Sequence, residues 1–115
     1  MIGSGAGIAP FMSFLEDKAH ELNTNGVSNF GEMNLFFGFR NPEQDYLYKQ
    51  QLATYKSTGM LDRVFEAVSR GAGKKTYVQD ALKSQKDMVK YYLETEGRFY
   101  VCGGKAMAEA VTQVI

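Results

Sequence analysis

RFYVCGG, residues 98–104, is a short apolar run that ends in the chain's single cysteine and passes directly into two glycines. Such a run reads as a strand, and the glycines mark where the strand hands over to a helix. In open α/β sheets ligands sit outside the carboxyl ends of the strands, which places Cys102 beside a crevice rather than in the core. Taken alone, one cysteine is more often a small buried hydrophobe. The rest of the chain has to tip the balance.

Working outward, strand and helix patterns alternate along the whole chain. Met107, Ala110, Val111 and Val114 stripe a final helix after the glycines, and residues 77–96 before them read as two short helices that end at Gly97. LDRVFEAV (61–68) and MNLFFGF (33–39) are strands, the second apolar enough to be buried on both faces. Between these two strands, Asn41-Pro42 reads as the N-cap and first residue of a helix. Glu43 and Asp45 fall in its first turn, Tyr48, Leu52 and Tyr55 share a face, and Gly59 stops it. At the amino end, Pro10 opens an amphipathic helix carrying Phe11, Phe14, Leu15, Ala19 and Leu22 up to the NTNG breaker at 23–26. The fold class this predicts is α/β, a three-layer open parallel sheet with helices on both faces. Only Met1 and Ile2 are available for the strand that should precede the first helix, and no strand follows the last one, which leaves FYVC at an exposed edge. The layout is that of one domain, 1–115, truncated at both ends and belonging to a larger protein.

Composition narrows the function classes. Thirteen basic residues balance thirteen acidic ones in 115, so no overall field recruits nucleic acid or an anionic membrane, and anion binding has to be local. One cysteine excludes an internal disulfide framework, and no apolar stretch approaches the roughly 18 residues of a membrane helix. With no signal peptide in view, a cytoplasmic location is expected, with a membrane anchor still open elsewhere in the parent chain. His20, the only histidine, falls on the polar side of the first helix and reads as solvated.

Two clusters carry chemistry. In MIGSGAGIAPF, Gly5, Gly7 and Pro10 form a G-x-G-x-x-P pattern that lets a diphosphate approach backbone N–H groups at the start of a helix. A tight turn before a helix uses the same residues. Ser69, Arg70, Lys74, Lys75 and Tyr77 make the densest local group of donors and positive charge in the chain. An arginine fork, lysine point charges and hydroxyls suit a phosphate monoester, and the absence of a carboxylate in that loop agrees. A solvated basic loop is the plainer reading of the same residues.

GSGAGIAPF, LFFGFRNPEQDYLY, VSR followed by KTYVQ, and YVCGG before a methionine-bearing helix occur in an order and spacing that resemble the pyridine-nucleotide domain of the ferredoxin-NADP reductase superfamily. The likeness is strongest to the diflavin reductases: cytochrome P450 reductase, the sulfite reductase flavoprotein, nitric oxide synthase reductase domains and methionine synthase reductase. The resemblance spans essentially the whole chain. It implies a ferredoxin reductase-like nucleotide-binding domain of an NADPH-dependent flavoprotein oxidoreductase. NADP(H) would bind through Gly5, Ala6, Gly7, Pro10, Arg40, Ser69, Arg70, Lys75, Tyr77, Gln79, Gly103 and Met107, with no metal. Ser69, Arg70, Lys75, Tyr77 and Gln79 would take the 2′-phosphoadenosine end. Cys102 would be the catalytic residue, packing beside the nicotinamide and orienting it for hydride transfer to FAD. FAD and FMN, bound by domains not in this chain, and a downstream acceptor protein or heme domain are the implied partners. The fragment alone should not turn over.

Some positions depart from the family pattern. Ala6 replaces the usual threonine, Asn41 stands where some relatives have a second arginine, Gly104 where many have an aspartate, and 71–74 vary. The competing readings are a stand-alone nucleotide-binding or regulatory module, and a degenerate structural α/β domain without redox activity.

Overall fold

The computed structural model describes residues 1–26, 31–70 and 75–115. Lys74 and the variable positions 71–73 therefore lie outside the described residues. The strands are β1 (Ile2–Ser4), β2 (Asn34–Phe39), β3 (Arg63–Val68) and β4 (Val101–Cys102), and the helices α1 (Ala9–Asn25), α2 (Lys49–Ser57), α3 (Val78–Ser84), α4 (Lys86–Glu94) and α5 (Lys105–Val114). A 3-10 turn, Gly5–Ile8, joins β1 to α1. All pairings are parallel and the sheet order is β3-β2-β1-β4.

Side-chain alternation along β2 explains the layers. Leu35, Phe37 and Phe39 point to one face, where Ile8, Phe11, Met12 and Leu15 of the first βα unit pack with Leu52 and Leu61. Phe36 points to the other, with Ile2, Ala67, Val78, Leu82, Val89 and Val111. Burial of β2 on both faces and the three-layer parallel sheet agree with the sequence reading. So does the outer position of β4, where Tyr100 and Val101 are exposed. The strand before α1 exists: β1 is three residues long and central, extended by the Ile2 N–H on the Tyr100 carbonyl at 2.7 Å and the Phe36 N–H on the Met1 carbonyl at 2.8 Å.

One element differs from expectation. The helix predicted from Asn41-Pro42 begins only at Lys49. Residues 41–45 form a separate turn in which the Asn41 carbonyl accepts from Asp45 N–H at 2.8 Å and the Asn41 side chain from Glu43 N–H at 2.8 Å. Tyr46 then enters the aromatic core, its ring 4.6 Å from Phe39 and 5.5 Å from Phe37 by centroids, and its hydroxyl donates to Glu66 at 2.6 Å. Burial and that carboxylate raise the phenol pKa well above its ordinary value. Anchoring Tyr46 pulls the chain off a helical path, and Tyr48 takes a left-handed conformation, φ 58°, before α2 starts. Lys18, on which the sequence reading made no statement, is buried on α1 and donates to the Met60 carbonyl at 2.8 Å and the Gly31 carbonyl at 3.2 Å.

Candidate functional site

β1, β2 and β3 end together in register, with Ser4 beside Gly38 and Phe39 beside Val68. Outside those ends lies a cleft of about 760 Å³ lined by residues 4–6, 38–40, 45, 47, 67, 69, 76–79, 106 and 107. Of the residues singled out from sequence, Gly5, Ala6, Arg40, Ser69, Tyr77, Gln79 and Met107 meet here. They come from five separate segments, brought together by the sheet.

The polar wall forms where β2 and β3 run out. Ser69 N–H donates to the Phe39 carbonyl at 3.0 Å and Arg70 N–H to the Arg40 carbonyl at 2.8 Å, so the ladder continues one step past the strands and sets two exposed arginines side by side. Arg70 and Lys75 are exposed and stand outside the cleft lining itself, and Thr76 N–H returns to the Val68 carbonyl at 2.9 Å. Tyr77 precedes α3. Its N–H is held by the Asp80 carboxylate at 2.9 Å, while the residue as a whole stays 48% exposed, within reach of a ligand. This wall can present guanidinium, ammonium and hydroxyl groups to a phosphate.

The floor is glycine. Gly5 adopts φ +53°, open only to glycine without strain, and turns the chain beneath the cleft. Gly7 does not line it. A Cβ there would stand 2.4 Å from the Cys102 carbonyl oxygen, so Gly7 lets the turn press against β4. Pro10 sits exposed in the first turn of α1. Gly103 abuts the cleft, because a Cβ would lie 2.3 Å from Met107 Cε and 2.7 Å from Ser4 Oγ.

Cys102 is half-buried and a free thiol. It pairs with Gly3 across β1–β4 and packs against the α1-side core, on the other side of the Gly7–Gly103 contact from Met107. The thiol therefore does not line the cleft that holds the basic wall.

Sequence reasoning missed several lining residues. Gly38 was legible in principle, since a glycine inside an apolar strand marks close approach; a Cβ there would stand 2.4 Å from Val78 Cγ2. Asp45 arrives from the 41–45 turn, with one carboxylate oxygen accepting Asn41 N–H at 3.0 Å. Nothing local marks Ser4, Leu47 or Ala106 as lining.

A second cleft, about 640 Å³, opens at the amino ends of the strands and holds none of the predicted residues. There the Tyr92 hydroxyl donates to Glu32 and accepts from Asn34, and burial followed by the Glu32 carboxylate raises its pKa. Among the described residues no group of three or more His, Cys, Asp or Glu could hold a metal ion, and no helix is long and apolar enough to cross a membrane.

The family model for the oxidoreductase NAD-binding domain matches residues 1–113. The inducible nitric oxide synthase of Cavia porcellus is 42% identical over 114 residues, covering 96% of this chain and 10% of that protein. That of Gallus gallus is 40% identical over 118 aligned positions, covering 100% of this chain and 10% of that protein, and that of Oryctolagus cuniculus 41% identical with 100% and 24% covered. The chain thus spans 10% of the length of the first two relatives. A match along this much of the sequence, on a parallel sheet with a glycine-floored cleft at its carboxyl ends, places the chain in the oxidoreductase NAD-binding domain family.

Proposed function

We infer that the chain is the NADP(H)-binding unit of a flavin-dependent electron-transfer reductase, with the cleft at the carboxyl ends of β1–β3 as its cofactor site. The observation that carries this reading is an exposed arginine, Arg40, lining a glycine-floored cleft, with a second, Arg70, joined to it through the backbone. Arg70, Lys75, Ser69 and Tyr77 hold the 2′-phosphate, Gln79 the adenosine side, and Arg40 the phosphates between the two halves. Gly5 brings backbone close to the diphosphate, and Gly7 lets the turn that carries it sit tightly on β4, at a helix start opened by Pro10. Met107 and Gly103 border the nicotinamide half, and Cys102 orients it from across the Gly7 contact once a flavin domain closes that side. When bound, NADPH supplies a hydride, which FAD on another part of the parent protein accepts. This chain contributes position and charge, and turnover requires the parent's flavin domains, FAD and FMN, and an acceptor. The likeness to nitric oxide synthases supports that setting, and a free thiol fits a reducing, cytoplasmic compartment.

Calorimetric titration with 2′,5′-ADP and 5′-AMP tests the assignment. The expected result is clear preference for 2′,5′-ADP, lost in Arg70→Ala, with 5′-AMP binding little changed. Equal affinity for the two nucleotides in folded protein defeats it.

A further inference from the structure

The turn beneath the cleft, residues 4–8, offers one polar side chain, that of Ser4. Ser4 ends β1, where the strand order switches: β2 and β3 lie to one side and β4 to the other, the place where open parallel sheets leave a crevice. Both of its neighbours lack side chains. Gly38 is its register partner on β2, and Gly103 follows β4 so closely that a Cβ there would stand 2.7 Å from the Ser4 Oγ. The hydroxyl thus sits in a slot between two strand ends, bounded by the Met107 thioether. It lines the cleft, caps no helix, and makes no hydrogen bond among the described residues. Half-buried hydroxyls ordinarily have a partner, and this one belongs to a residue that lines the cavity.

We propose that Ser4 is a cofactor-contacting residue whose hydroxyl hydrogen-bonds the nicotinamide-side ribose phosphate of the dinucleotide. The side is set by position: the basic wall occupies the β2–β3 end, whereas Ser4 lies toward β4 and Gly103. Ala6, the next side chain in the turn, is apolar and exposed, so Ser4 alone offers a side-chain hydrogen bond from this part of the floor. The contact fixes how far the nicotinamide half slides along the Gly103 backbone. This inference rests on the NADP(H) reading above.

The test compares NADP⁺ with 2′,5′-ADP, which lacks the nicotinamide half, on the wild-type chain and Ser4→Ala. Ser4→Ala should weaken NADP⁺ by about three- to tenfold, the scale of one neutral hydrogen bond, and leave 2′,5′-ADP unchanged. Unchanged 2′,5′-ADP binding also shows that the variant is folded. Equal losses for both ligands, or no loss for NADP⁺, overturn the role of Ser4 while leaving the NADP(H) site standing. If the wild-type chain fails to bind 2′,5′-ADP, the site assignment falls first and this inference with it.

Discussion

Glycines set how closely the turn, the sheet and α5 approach one another, and they are not equivalent. A Cβ at Gly7 meets backbone, the Cys102 carbonyl oxygen at 2.4 Å and its carbon at 2.9 Å, which cannot rotate away. At Gly38 it meets the Val78 methyl at 2.4 Å, which can shift, and at Gly104 nothing within 4 Å. Thermal or urea unfolding should therefore rank Gly7→Ala as worst, at about 1–3 kcal/mol, Gly38→Ala as intermediate, and Gly104→Ala within about 0.5 kcal/mol of wild type. A Gly7→Ala variant as stable as Gly104→Ala would mean that the turn does not press on β4. This scale also shows what was legible in the sequence. Gly5, Ser69, Arg70 and Tyr77 could be read because a turn glycine and a run of donors declare themselves locally. Ser4 and Asp45 could not, since their place on the cleft wall depends on which strand ends lie side by side. Cys102 could be placed at a strand end but not on a face, because a two-residue strand has no alternation to read.

At the scale of elements, the strands were legible to within two residues because apolar runs bounded by glycine and charge are distinct. The start of α2 was not. Pro42, Glu43 and Asp45 are good first-turn residues, yet the core takes Tyr46 between Phe37 and Phe39, and that long-range packing overrides local preference. Lys18 was passed over for a related reason. Helical spacing marks apolar positions, whereas this amine is buried because two carbonyls, of Met60 and Gly31, await it. Comparing Tyr48→Gly with Tyr48→Ala tests the break in the helix, since both remove the same ring. In a helix interior alanine would be the more stable by about 1 kcal/mol. At φ 58° the order inverts, and glycine should win by about 1 kcal/mol in denaturant melts. An alanine advantage would show that the helix starts near Pro42 after all.

For the whole molecule, β1, only three residues long, lies inside the sheet between β2 and β4, and in a chain that starts at Met1 the α-amine is drawn in with it. In this 115-residue chain the Met1 amine donates to the Asn34 carbonyl at 2.8 Å, Met1 lining the amino-end cleft, and burial lowers the amine pKa from 8.0 to about 6. The folded state thus binds this proton less tightly than the unfolded chain does. Below pH 6 the charged amine is carried in both states and its desolvation opposes folding in full. Above pH 8 it is neutral in both and the penalty is gone, so stability should rise with pH between those limits. The two-unit shift corresponds to at most about 2.7 kcal/mol, concentrated at the centre of the fold. Acetylating the α-amine removes the titration, and a residue joined ahead of Met1 by a peptide bond does the same. Urea unfolding at pH 5.5 and 8.5 should give a smaller difference for the acetylated chain than for the free one, with the gain at the lower pH. Identical pH dependence in the two forms would mean that the amine reaches water in the folded state, and that β1 enters the sheet without burying its own beginning.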